Sequence, residues 1–210
     1  MASSVIHLAV AEELNKKLKR EKSAFLIGSI APDISKLVND SREKSHFIDN
    51  KEGIPNIDRF LDKYRDKLDD EFVLGYYIHL YTDYIWFKYF VPEVFDQENG
   101  EITKLDGTVV KCNGNMMALY IYNDYTNLNI QLIDEYNLDL SIFYEEIPKL
   151  NNIIEEIPMD KINVIVDKAG VIIENTKVHK ELVFNIFNIK KFIETSVGLI
   201  LLNLDELGIL

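Results

Sequence analysis

The sequence predicts an all-α fold, and two observations carry that reading. Apolar residues recur at steps of three and four along most of the chain, the period of a helix face. One stretch, Phe72 to Val91, is apolar or aromatic nearly all round, as in a helix buried at the centre of a domain. Against these stands one strong strand signal, Asp106-Gly107 between two β-prone runs. A length of 210 residues, 47% hydrophobic and 28% charged, suits a globular chain. With no Ser/Gly/Pro-rich linker or repeat, residues 1–210 are expected to form a single multi-helix domain with a small β-hairpin excursion.

Ser3 or Ser4 can cap a first helix running to about Arg20, with His7, Ala11, Leu14 and Leu18 on one inward stripe. Ala24 to Val38 is apolar as far as Gly28 and is expected to turn at Ala31-Pro32-Asp33, where the proline ends a preceding helix. Ser41 to Asn50 reads as a loop or short helix carrying His46. Ile57, Phe60, Leu61, Tyr64 and Leu68 define an amphipathic helix, and Asp69 or Asp70 caps the central one. Its tyrosines and tryptophan, Tyr76, Tyr77, Tyr81, Tyr84 and Trp86, read as core packing. Ile102 to Leu105 and Thr108 to Lys111 are the expected hairpin strands. Met117, Ile121, Asp124, Leu128 and Leu132 mark a further helix. Pro158 to Thr176 is a weaker helix because of Gly170, and about Asn188 to Leu207 forms the last.

A formal charge of −12 and a pI near 4.8 argue against nucleic-acid scaffold binding, which depends on clustered cations. They would also repel an anionic membrane unless a basic patch or bound cation intervened. The lone Cys112 allows no internal disulfide, and no basic segment precedes an apolar core at the start, so a cytoplasmic location is expected. The apolar stretch Val197 to Leu202 with its flanks is too short and too close to Asp205 to span a bilayer, which takes about 20 apolar residues. Nucleotide-binding glycine loops and a nucleophile elbow are absent.

His79 and Asp83 stand four apart on the central helix, so their side chains share one face. Imidazole plus carboxylate at that spacing suits zinc or a similar divalent ion, although a metal-free His–Asp hydrogen bond would use the same spacing. His7 lies on an inward stripe, Asp33 follows a proline in an apolar setting, and His46 precedes Phe47. Each also has a plain reading: a core histidine, a capping aspartate, a surface-loop histidine. Asp124 lies on an apolar stripe and needs a cation, an arginine or a proton, its plain reading being a hydrogen-bonded core aspartate.

His7-Leu8-Ala9, Gly28-Ser29-Ile30-Ala31-Pro32-Asp33, Ser45-His46-Phe47 and Gly75-Tyr76-Tyr77-Ile78-His79 with Asp83 together resemble the zinc-dependent phospholipase C family. The resemblance spans roughly the first 90 residues. It implies an all-helical fold shared with single-strand-specific nucleases, up to three zinc ions and hydrolysis of phosphate esters. By it, Asp33, His46, His79 and Asp83 would hold one ion and His7 a second, with Asp83 bridging. Tyr84 to Leu119 contains no histidine, so the family's third-ion set has no counterpart, and Asp124 is the candidate substitute ligand. His179 is expected at the surface.

The expected function is therefore that of a metal-dependent hydrolase of phosphodiesters or phosphomonoesters with one or two zinc-like ions. Asp33 or Asp83 would orient or deprotonate water, and the substrate would be a small-molecule or lipid phosphate ester. The alternative is a non-catalytic, metal-stabilised binding protein. No signal points to nucleophilic catalysis by a side chain.

Overall fold

A computed structural model describes residues 2–174 and 180–210. Helix α1 (Ser4–Leu18) starts where the Ser3 side chain accepts from the Ile6 N–H, and it closes on Lys19 in the left-handed region. Helix α2 (Lys22–Ile30) runs directly into a 3-10 helix over Ala31–Lys36. The α-helix thus stops where the proline predicts, at Ile30, but the chain goes on as a tighter helix: proline sits in its first turn, where its missing N–H has no partner to lose, and Asp33 follows it. Helix α3 (Arg42–Ser45) is a single turn ending at His46. Helix α4 (Ile57–Tyr64) gives way to a 3-10 turn, after which Leu68 remains buried.

Helix α5 (Glu71–Ile85) is capped by the Asp70 carboxylate, which accepts from the N–H groups of Phe72 and Val73. Tyr76, Tyr77, Ile78, His79 and Leu80 are all fully buried, so this is the central helix that the sequence predicts. It does not continue as an α-helix to Val91. Trp86–Phe90 forms a π turn, followed by α6 (Val91–Val94), whose Pro92 cannot donate a helical hydrogen bond.

The expected hairpin is present but belongs to a three-stranded antiparallel sheet. Strands β2 (Glu101–Thr103) and β3 (Val109–Lys111) pair Ile102 with Val110, while β1 (Phe95–Asp96) pairs Phe95 with Ile102. Gly107 occupies the turn at φ +81°, which glycine adopts without a Cβ clash. Helix α7 (Gly114–Tyr136) ends at left-handed Asn137. Helix α8 spans Ile162–Glu174; Thr176, the expected end of that helix, lies outside the described residues. Helix α9 (Ile186–Glu206) begins with a capping box between Asn185 and Asn188. Among the described residues no helix is long and apolar enough to cross a membrane.

The crossing of α2 and α5 fixes the centre of the molecule. A Cβ added at Gly75 would lie 2.1 Å from the Phe25 carbonyl oxygen, and one at Gly28 would lie 2.3 Å from that of Phe72. Two glycines therefore let the helix backbones touch. That approach brings the Ser29 carbonyl, near the end of α2, within 2.8 Å of His79 Nδ1 on α5.

Candidate metal centre

Five side chains from four segments meet beside the α2–α5 crossing. α1 contributes His7, the 3-10 helix Asp33, the end of α3 His46, and α5 both His79 and Asp83. His46, His79 and Asp83 are fully buried and His7 is 1% exposed, whereas Asp33 keeps 9%. The cluster therefore reaches solvent on the Asp33 side. Five of the six candidate ligands come together, and they form two overlapping groups that could hold an ion: His7, His79 and Asp83, and Asp33, His46 and His79.

Local bonds fix the direction of each donor. The carbonyl of Ser29 can only accept, so His79 Nδ1 carries the proton and Nε2 is left with its lone pair facing the cluster. His46 Nδ1 lies 2.8 Å from the Ser45 hydroxyl, which leaves its Nε2 pointing inward as well. The Tyr76 hydroxyl donates to the Ser45 carbonyl and holds that end of α3 in place. Phe47 follows at φ +55°, a conformation costly for an aromatic residue, and is kept there by edge-on packing against Phe60 at 5.2 Å. The Ala2 N–H donates to Asp83 Oδ1 at 3.1 Å.

The spacing between these donors suits a cation better than direct hydrogen bonds. His46 Nε2 is 3.3 Å from His79 Nε2 and 3.5 Å from Asp33 Oδ1, and it is 3.8 Å from Asp83 Oδ2. His7 Nε2 is 3.5 Å from Asp83 Oδ1. A tetrahedral ion with bonds of about 2.0–2.1 Å places its ligand atoms about 3.3–3.4 Å apart. Both ring nitrogens of His7, Asp33 Oδ1 and Asp83 Oδ2 are buried without a hydrogen-bond partner. Leaving such groups unsatisfied costs about 1–3 kcal/mol each, a cost that ligation would remove.

The electrostatics agree. Burial pushes His79 well below the usual imidazole range, and burial also lowers His46 although Asp33 and Asp83 oppose it. Burial works against ionisation of Asp33 and Asp83, yet both stay below the usual carboxylate range. Asp33 is held there by His46 and Lys36, and Asp83 chiefly by His7. Neutral imidazole with ionised carboxylate is the protonation state that binds metal.

Since an imidazole nitrogen has one lone pair, His79 Nε2 can serve only one ion. Only one of the two groups that share His79 can therefore use it at a time, the one with Asp33 and His46 or the one with His7 and Asp83. His7 stacks on His79 with ring centroids 3.7 Å apart.

Asp124 does not join them. Its carboxylate accepts from the backbone N–H groups of Leu182 at 2.8 Å, Val183 at 2.7 Å and Phe184 at 3.0 Å, and from the Asn123 side-chain amide at 3.0 Å. The expectation of a substitute ligand is corrected: backbone and amide N–H donors, not a cation, satisfy this buried carboxylate. His179 lies outside the described residues.

Other residues at the site were not singled out from sequence. Arg42 approaches Asp83 Oδ2 at 3.8 Å and Lys36 approaches Asp33 Oδ1 at 3.6 Å. Tyr125, buried on α7, has its phenol pushed well up by burial and by the negative charges of Asp83 and Asp33. Lys36 three residues after Asp33 and Arg42 four before His46 stand at helical spacing, a signal that could have found them.

No curated protein and no solved structure gives a significant match to this chain. The family described as zinc dependent phospholipase C, however, matches residues 4–139, which run from the first turn of α1 past the end of α7 and include all five clustered side chains. With more than half of its length matched and a His/Asp cluster suited to one or two ions, this chain belongs to the zinc-dependent phospholipase C family.

Proposed function

We propose that this protein is a metal-dependent hydrolase of phosphate esters, with Asp33, His46, His79 and Asp83 holding one divalent ion and His7 with Asp83 contributing to a second. The observation that carries the reading is the convergence of lone-pair donors that lack hydrogen bonds, in a cluster that opens to solvent at Asp33. A divalent ion supplies Lewis acidity there, polarising a phosphoryl oxygen and making water acidic enough to attack near neutral pH. Ser29 and Ser45 fix the two imidazoles, so the donor set is organised before any ligand arrives. With Oδ1 bonded to the Ala2 N–H, Asp83 turns Oδ2 toward His46 and Arg42, whose guanidinium offsets the buried negative charge. Asp33 is the carboxylate that meets entering water and is assigned to orient it and take its proton.

One observation favours the alternative of a metal-stabilised binding protein: four donors already surround the first position, and four protein ligands typify a structural ion. Metal stoichiometry together with turnover separates the two. The hydrolase should contain more than one ion per chain and cleave a nitrophenyl phosphate ester, with Asp83→Asn losing both the second ion and the activity. A single tightly held ion without turnover on nitrophenyl mono- and diesters would establish the alternative.

A further inference from the structure

Resting on that hydrolase reading, we propose that the cleft beside Asp33 receives the organic part of the ester, and that Lys36 and Lys168 select ligands bearing negative charge over cationic ones. The cleft, of about 390 Å³, lies between the Ala31–Lys36 turn, the start of the chain, α7 and α8, and Asp33 is the metal-centre residue that lines it. Its size falls within the usual range for small-ligand sites. Leu37, Tyr122, Tyr125, Ile165 and Ile172 give it an apolar wall.

The charge of this wall is opposite to that of the molecule. The chain carries 35 acidic and 23 basic residues, yet the cleft is lined by two lysines and one carboxylate, and that carboxylate is the candidate ligand Asp33. Lys168 is exposed on α8 and makes no ion pair among the described residues. Lys36 pairs with Asp33 Oδ1 at 3.6 Å. An ion held by that oxygen would take the partner of Lys36 and repel its ammonium, turning it toward the cleft. A ligand with a quaternary ammonium would then meet two like charges and no free carboxylate. One with an anionic group near the metal centre and an apolar tail finds both complements.

The test is calorimetric titration of the zinc-loaded protein with hexyl phosphate, inorganic phosphate and hexyltrimethylammonium. Hexyl phosphate is expected to bind tightest. The double variant Lys36→Gln/Lys168→Gln, altered only at exposed or half-exposed side chains, should weaken it by about fivefold, the sum expected of two solvent-screened pairs. Ile172→Asn should erase part of its advantage over inorganic phosphate. Equal binding of hexyltrimethylammonium, or unchanged binding by the double variant, overturns the proposal. So would sedimentation with phosphatidylglycerol vesicles by a protein that binds no hexyl phosphate, since that places the lysines on a membrane-facing surface. The two readings fail separately. Lysine-dependent binding without ester cleavage keeps the cleft assignment and removes the hydrolase, whereas cleavage with lysine-independent binding does the reverse.

Discussion

At the scale of single residues, two buried aspartates show how alike side chains come to differ in role. Asp83 has an oxygen with no hydrogen-bond donor, whereas Asp124 receives four N–H groups from the Leu182–Phe184 segment and Asn123. Removing Asp124 strands buried donors at about 1–3 kcal/mol each, so Asp124→Ala should lower stability by several kcal/mol, on the order of the larger mutational effects. Its metal content should stay that of the parent. Denaturant unfolding and elemental analysis check this, and a loss of metal in a variant that is still folded would return Asp124 to the centre. The difference between the two was not legible in sequence. A carboxylate on an apolar stripe announces only that it needs a partner, and three of the four donors to Asp124 come from 58 to 60 residues away. His79 and Asp83 were legible because helical spacing alone puts them on one face.

At the scale of elements, the α2–α5 crossing aligns the histidines. Ala at Gly75 would drive its methyl into the Phe25 carbonyl, a backbone atom with no rotamer by which to move away. Overpacking of this kind costs about 1–3 kcal/mol or more, and here relief requires the helices to separate. Gly75→Ala should therefore lose stability and also weaken zinc binding, because separation stretches the bond from His79 to the Ser29 carbonyl. Gly107→Ala is the contrast, since its Cβ meets nothing and only the positive φ of an outlying turn opposes it. It should destabilise modestly and leave zinc affinity alone. Tyr76→Phe should loosen His46 by removing the hydroxyl that holds the Ser45 carbonyl, raising the zinc Kd with a smaller effect on folding. Competition with a chromophoric chelator measures all three. Most helices could be placed from apolar periodicity. The π turn at Trp86–Phe90 and strand β1 could not, because one depends on how the chain accommodates Pro92 and the other on a two-residue pairing with β2.

At the scale of the whole molecule, the metal centre and the fold share the same bonds, so stability should report on occupancy. His7 comes from α1, Asp33 from the turn after α2, His46 from α3, and His79 and Asp83 from α5, so unfolding any of these segments disperses the site. An ion bound only by the folded chain stabilises it by about 2.7 kcal/mol when free ion is a hundredfold above Kd. For a chain of this length each kcal/mol moves Tm by roughly 2–4 °C, so chelation should lower Tm by about 5–10 °C at that concentration. His79→Ala removes the donor that both candidate groups share, and its Tm should lie below that of the parent and ignore the chelator. Lys36→Gln should respond as the parent does, because Lys36 approaches Asp33 without contributing a ligand atom. A His79→Ala protein that kept the full chelator response would place the stabilising ion outside this cluster. A Lys36→Gln protein that lost it would mean that Lys36, by holding Asp33 Oδ1, is needed to retain the ion.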